Sequence, residues 1–535
     1  MTVALPFARV GALLDAHRQR TPHKTALVDV ERNLSIDFTE LAQYVDALAR
    51  QLQRANVTRG ARVVLAGSEG IEKLLLWLAL WRLRAIVCPL DVAFLGAHGA
   101  QRVFDRIDPA FVLIAEHADE TVLPTSSARI VRFGAWPANA DADVDTNVDD
   151  PQAQLRFVTT PLATASNHDD DTPLPDTDEP GGIDEIAAMC CTSGTTGVPK
   201  VVVYDHASYW YNGLDTIDLL ALTADDRTLE YRSFDWYSAQ ILSLIPFLQL
   251  GSTLCVARSF SRSRFAQWIA THRVSVSAGV PTVLNLLLEA PVDIEGGKLA
   301  SLRAITCSTA PLSTVQWARF EAHYGIRVLN LYGSSEAGWM CGNRYTRRKF
   351  GTVGYPVGHI GFSVVDPNGA PCAPGTPGQV VVAGEKLALG LLNDAHRIEP
   401  IRGAPLATRD VASIDTQGFV VVSGRMDDLI IRGGVKVLPQ EIEDLLLEHP
   451  AVQDAVAVGV PDPIYGQEPV CFVVPHPGMK IEIAELVTLC RAKLPREKQP
   501  RQIYLVNELP RNARGKILRD ALRREWWTFT HSGKP

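Results

Sequence analysis

Residues 192–200 read Thr-Ser-Gly-Thr-Thr-Gly-Val-Pro-Lys. Gly194 and Gly197 can take φ > 0 and bring backbone N–H groups close to an anion. The hydroxyls of Thr192, Ser193, Thr195 and Thr196 add donors, and Lys200 adds a point charge suited to phosphate. The spacing is not that of a Walker A loop, because the lysine follows Gly-Val-Pro rather than glycine. Taken alone, the segment also reads as a Ser/Gly surface turn.

Three later segments carry similar chemistry. Asn330-Leu331-Tyr332-Gly333-Ser334-Ser335-Glu336 sets an aromatic ring and a carboxylate around a glycine turn. Such a turn can stack a base and hold a metal that bridges phosphates, or simply join a strand to the next element. Gly424-Arg425-Met426-Asp427-Asp428 is a charged turn that leads through a strand to Gly433-Gly434, a second strand and a helix entered near Pro439. A plain β-hairpin is the alternative. Pro510-Arg511-Asn512-Ala513-Arg514-Gly515-Lys516 is a basic loop opening a helix, and a solvated basic face reads equally well.

The elements that must position these segments follow from periodicity. An apolar run from Ile186 to Cys191 predicts a buried strand delivering the first loop. The spacing of Leu41, Tyr44, Val45, Leu48 and Leu52 predicts a helix over residues 38–54. Strands alternate with helices to about residue 133 and again from 186 to 329, which predicts a largely parallel sheet with helical cover. Residues 137–185 break that pattern with an acidic, Pro- and Thr-rich excursion expected to be a surface loop. Residues 350–423 change to short strands between Pro/Gly turns, the signature of a small antiparallel barrel. A C-terminal α+β domain of about 110 residues is expected beyond Gly424.

With 535 residues the chain should divide into two or more domains. A net charge of −8 argues against nucleic acid as a partner. The nine cysteines lack CxxC spacing and sit mostly in apolar runs, which predicts buried thiols in a reducing compartment. No secretory leader is expected at the N-terminus, and the apolar helix near residues 74–83 is too short to span a bilayer. A cytoplasmic protein is the expectation, as a monomer or homodimer.

In this order and spacing the four segments resemble the adenylate-forming superfamily of acyl-CoA synthetases, carrier-protein adenylation domains and luciferases. The resemblance covers nearly the whole chain, including Gly60-Ala61-Arg62-Val63-Val64-Leu65. It implies an α/β fold in which residues 1–424 form stacked α/β subdomains plus the small β-barrel. Residues 425–535 would form a small mobile α+β domain carrying the catalytic lysine. The implied reaction is ATP- and Mg2+-dependent activation of a carboxylic acid as acyl-AMP, followed by transfer to coenzyme A. Loading of a carrier protein is the alternative acceptor, although no carrier module is recognisable after Trp527.

By the same resemblance, residues 192–200 (Thr192, Ser193, Gly194, Thr195, Thr196, Gly197 and Lys200 among them) close over the β- and γ-phosphates. Ser308, Thr309, Ala310, Asn330, Tyr332 and Gly333 surround the nucleotide, with Tyr332 stacked on adenine. Ser335 stands where threonine is usual and meets phosphate or metal, and Glu336 reaches Mg2+. Asp410 would accept the ribose hydroxyls beside Arg425, although Arg409 replaces the glycine usual in Thr-Gly-Asp. Lys516 would bridge the carboxylate and the α-phosphate. Asp427 matches the hinge, and Gly433-Gly434 leaves a slot for the pantetheine arm. The acyl pocket is expected from Trp236 and Tyr237, with Gly279, Ser308, Thr309, Gly333 and Ser334. Ordinary core packing is the competing role for Trp236 and Tyr237, and His206 is expected to be a core or capping residue.

Overall fold

The computed structural model describes residues 7–67, 70–90, 99–116, 118–136, 154–155, 157, 174, 182–192, 199–292, 295–511 and 517–531. Most of the acidic excursion, residues 193–198 of the first loop, and Lys516 lie outside them.

Two nine-stranded sheets form the bulk of the described chain. In the first, Thr25–Asp29, Thr253–Val256, Arg227–Glu230, Val276–Ser277, Ala304–Cys307 and Arg327–Ser334 run parallel, with antiparallel strands at both edges. In the second, Arg62–Ala66, Ile86–Leu90, Phe111–Ala115, Arg129–Phe133 and Ile186–Thr192 are parallel. Except in Arg129–Phe133, where exposure alternates, their near-continuous apolar sequences fit burial on both faces. The helix Phe38–Arg54 forms as its periodicity predicts and starts at a capping box between Asp37 and Glu40. All five of its periodic apolar residues are buried, each contributing roughly 1.5–3 kcal/mol. The helix Ile71–Arg82 is buried on every side, so its charges need partners. Lys73 donates to Asp235 at 2.5 Å, and Glu72 receives Arg32 at 3.0 Å.

The antiparallel region after residue 350 has its own small core. Gly361–Val365, Gly378–Ala383, Leu406–Ile414 and Val420–Arg425 pair in that order. Two strands within the span expected for the barrel, Gly390–Leu392 and Ile398–Pro400, leave it for the second large sheet. They are drawn there because Lys200–Asp205 offers a free edge next to Leu391.

The C-terminal domain is a separate five-stranded sheet with cores on both faces. The expected order holds: a 3₁₀ turn at Met426–Asp428, strands Ile430–Arg432 and Val435–Val437, then the helix Pro439–Leu446. None of the nine cysteines is in a disulfide, and seven of them are buried.

Candidate active site

The first loop is framed by a β-hairpin. Strand Ile186–Thr192 pairs antiparallel with Lys200–Asp205, with Thr192 directly opposite Lys200. The hairpin therefore fixes both ends of the loop, and the Lys200 side is exposed. Residues Ser193, Gly194, Thr195, Thr196 and Gly197 lie outside the described residues.

The next residues gather at the carboxyl ends of two parallel strands, the usual place for a ligand in such sheets. Cys307 lies opposite Asn330 in register, so Ser308, Thr309 and Ala310 emerge beside Tyr332, Gly333 and Ser334. Thr309 has φ of 74°, an unfavourable region for a β-branched residue, and strain of this kind clusters at functional sites. Gly333 has a packing reason, because a Cβ there would sit 2.2 Å from the Gly338 carbonyl. Gly279 is equally constrained, 2.1 Å from the Thr306 carbonyl. Asn330 is buried and donates its amide to the Thr352 carbonyl at 3.2 Å, which ties it into the fold.

Tyr332 donates its hydroxyl to Asp410 at 2.5 Å. Asp410 stands opposite Arg425 in the antiparallel register, and the guanidinium lies 3.7 Å from its carboxylate. Burial, reinforced by the adjacent carboxylate, pushes the Tyr332 phenol far above its ordinary pKa, so it stays a donor. Ser334 caps the following turn by accepting from the Ala337 N–H, and the Ser335 carbonyl accepts from Tyr204 at 2.8 Å. Among the described residues no hydrogen bond or ion pair engages the Glu336 carboxylate, and its side is half-buried.

The acyl side divides. Tyr237 stacks on Tyr204 with ring centroids 3.9 Å apart, and its hydroxyl donates to the Ser208 carbonyl at 3.0 Å. These contacts fit the core-packing role held open for Tyr237. Trp236 is half-buried. His206 packs edge-on against Trp81 at the start of helix His206–Leu220, as expected of a core residue.

Two polar contacts were missed. Arg232 donates two hydrogen bonds to Glu230, at 2.9 and 2.7 Å, and reaches the Ser308 hydroxyl at 3.5 Å. Asp235 meets Lys73. The available signal was charge inside apolar sequence, since a lysine in the helix Ile71–Arg82 demands an acid.

The hinge region is exposed. Arg409 has no positive φ and lies in the register shift between strands Gly378–Ala383 and Leu406–Ile414, and its guanidinium contacts Asp427 at 2.9 and 3.0 Å. Gly433 and Gly434 lie in a solvent-facing turn with φ of 55° and 87°. Lys516 is outside the described residues. Its loop is closed by a bridge between Arg511 and Ile517, and Arg511 is anchored on Asp454.

A family profile described as AMP-binding enzyme matches residues 14–392, and the AMP-binding enzyme C-terminal domain matches residues 441–516. The chain belongs to the AMP-binding enzyme family. Among curated relatives of this AMP-binding enzyme, feruloyl-CoA synthase of an Amycolatopsis species is 27% identical over 95% of this chain and 96% of its own. Indoleacetate–CoA ligase of Aromatoleum aromaticum is 29% identical over 95% and 96%. The crystal structure of ATP-bound MatB from Rhodopseudomonas palustris shares the fold, with a TM-score of 0.83, 24% identity, and coverage of 97% of this chain and 99% of that one.

Among the described residues of the AMP-binding enzyme, no group of three or more His, Cys, Asp or Glu side chains could hold a metal. Mg2+ does not require one, because it is commonly held by one or two carboxylates plus substrate phosphates. The Glu336 carboxylate, next in sequence to Ser335 and unengaged among the described residues, fits that need.

Proposed function

We propose that the protein activates a small to medium or aromatic carboxylic acid as its acyl adenylate and passes the acyl group to coenzyme A. It is an AMP-forming acid–thiol ligase that uses ATP and Mg2+. A carboxylate oxygen is a poor leaving group, and AMP is a good one. In the first step the substrate carboxylate attacks the α-phosphorus, the bond to the β-phosphate oxygen breaks, and pyrophosphate leaves with the electron pair. In the second step the thiol loses its proton, sulfur attacks the acyl carbon, and AMP departs.

Such chemistry asks the protein for position and charge rather than covalent help. The loop framed by Thr192 and Lys200 encloses the β- and γ-phosphates. Tyr332 presents its ring to adenine while its hydroxyl fixes Asp410, which with Arg425 receives the ribose. Glu336, aided by the Ser335 hydroxyl, would hold Mg2+, which when bound neutralises phosphate charge. Lys516 meets the carboxylate and α-phosphate, and Gly433-Gly434 admits the pantetheine arm after rotation about Asp427, with the C-terminal domain beyond it as the mobile unit. Trp236 borders the acyl group, and the aromatic acids in the names of feruloyl-CoA synthase and indoleacetate–CoA ligase support that acid class. Nine cysteines outside any disulfide support a cytoplasmic enzyme.

The observation that carries this reading is the convergence of Tyr332, Asp410 and Arg425 from three separate segments. The test is exchange of labelled pyrophosphate into ATP across a panel of short, medium and aromatic acids. Exchange should need both an acid and Mg2+, and adding coenzyme A should convert it to AMP and thioester. No exchange with any acid rejects the reading, and turnover only with a carrier protein would replace the acceptor.

A further inference from the structure

The turn that carries Glu336 is held at both of its flanking peptides. Strands Arg327–Ser334 and Gly338–Gly342 form a hairpin with Ser334 opposite Gly338, so Ser335, Glu336 and Ala337 make up its tip. A loop tip is ordinarily the freest part of such a pair. Here the Ser335 carbonyl accepts from the Tyr204 hydroxyl at 2.8 Å, and the Glu336 carbonyl accepts from the Ala388 N–H at 2.9 Å. The peptide planes on either side of the Glu336 Cα are therefore both fixed, while its carboxylate stays unengaged among the described residues. Both donors belong to one unit. Tyr204 lies on strand Lys200–Asp205, and Ala388 stands just before Gly390–Leu392, which pairs antiparallel with that strand. Lys200, which closes the first loop, opens the same strand four residues before Tyr204 and on the same face. The Tyr204 ring is fully buried, stacked on Tyr237 and edge-on to Tyr209 at 5.8 Å, so its hydroxyl has one settled direction. Tyr209 aims its own hydroxyl elsewhere, donating to Gln240 at 2.7 Å.

We propose that Tyr204 is a positioning residue that holds the Ser335–Glu336 peptide so that the Glu336 carboxylate meets Mg2+ already oriented. This deepens the ligase reading above and rests on it. Mg2+ demands near-ideal octahedral geometry, and a carboxylate on a loose turn must be ordered each time the metal binds. With the backbone fixed, only the Glu336 side-chain torsions remain to settle. Removing the Tyr204 hydroxyl keeps the ring, its volume and its stack, but frees one of the two peptides. Loss of one such hydrogen bond shifts an equilibrium by about 3- to 10-fold.

The experiment is a calorimetric titration with α,β-methylene-ATP, which cannot be cleaved at the bond that adenylation breaks. Its Kd is measured with Mg2+ present and with the metal removed by a chelator. In the wild-type enzyme Mg2+ should tighten binding. Tyr204→Phe should cut that Mg2+-dependent gain by about 3- to 10-fold and leave the metal-free Kd near wild type. The Mg2+ concentration for half-maximal pyrophosphate exchange should rise by a similar factor. Transfer of a prepared acyl adenylate to coenzyme A involves no pyrophosphate, so it should keep its rate and report an intact fold. Tyr209→Phe deletes a buried hydroxyl from the same aromatic cluster and should leave the gain unchanged. In Glu336→Gln the gain should already be small, and adding Tyr204→Phe should remove nothing further. A full gain in Tyr204→Phe or in Glu336→Gln, an equal loss in Tyr209→Phe, or a matching loss of transfer overturns the positioning role and leaves the ligase reading intact. Absence of exchange in the wild-type enzyme with any acid overturns that reading and the proposal with it.

Discussion

At the residue scale the site depends on how one hydroxyl is used. The Tyr332 phenol is pinned to Asp410, so its ring cannot swing freely, and Asp410 keeps a fixed orientation toward Arg425. A hydrogen bond to a charged acceptor contributes about 1.5–3 kcal/mol. Tyr332→Phe keeps the ring and should raise the KM for ATP by about 10-fold, with kcat changed far less. An unaltered KM for ATP would separate this contact from nucleotide binding. The residue types at the site were legible from the sequence, but the contacts were not. Tyr332 and Asp410 are 78 positions apart, and Lys73 and Asp235 are 162 apart, beyond the reach of any local pattern. Tyr237 shows a related difficulty, since its stacking on Tyr204, 33 positions away, leaves no mark in the local sequence.

At the element scale, legibility followed local chemistry. The helix Phe38–Arg54 and the hairpin turn at Gly433-Gly434 are specified by caps, periodicity and glycine, all within a few residues. The edge strands Gly390–Leu392 and Ile398–Pro400 were harder, because a short strand joins whichever sheet offers a free edge. The helix His206–Leu220 shows a further consequence of packing. Asp205 caps it by accepting from the Ser208 N–H, while His206 lies against Trp81. Burial lowers the His206 pKa to about 4, against the pull of Glu185 and Asp205. The unfolded chain therefore takes up this proton first, so stability is complete above the ordinary histidine pKa and falls as the pH drops from about 6.5 toward 4. His17, whose pKa burial also lowers, acts in the same sense. Urea unfolding should show His206→Gln losing about 1 kcal/mol less than wild type between about pH 7 and pH 5. Equal losses would show that His206 titrates normally in the fold.

At the scale of the whole molecule, three sheet systems build a large body, and a fourth sheet forms the C-terminal domain. Alternation of strands with helices made the two-part division legible. The orientation of one part on the other was not, because no local pattern of residue types specifies it. If the small domain serves the two half-reactions in turn, Lys516 acts only in the first. Its replacement then gives the most direct measurement. In Lys516→Ala, single-turnover formation of acyl-AMP from acid and ATP should slow by roughly 10²- to 10³-fold, the loss typical of one transition-state donor. Transfer of a supplied acyl adenylate to coenzyme A should stay near the wild-type rate. Normal adenylation, or equal loss in both steps, would contradict the account.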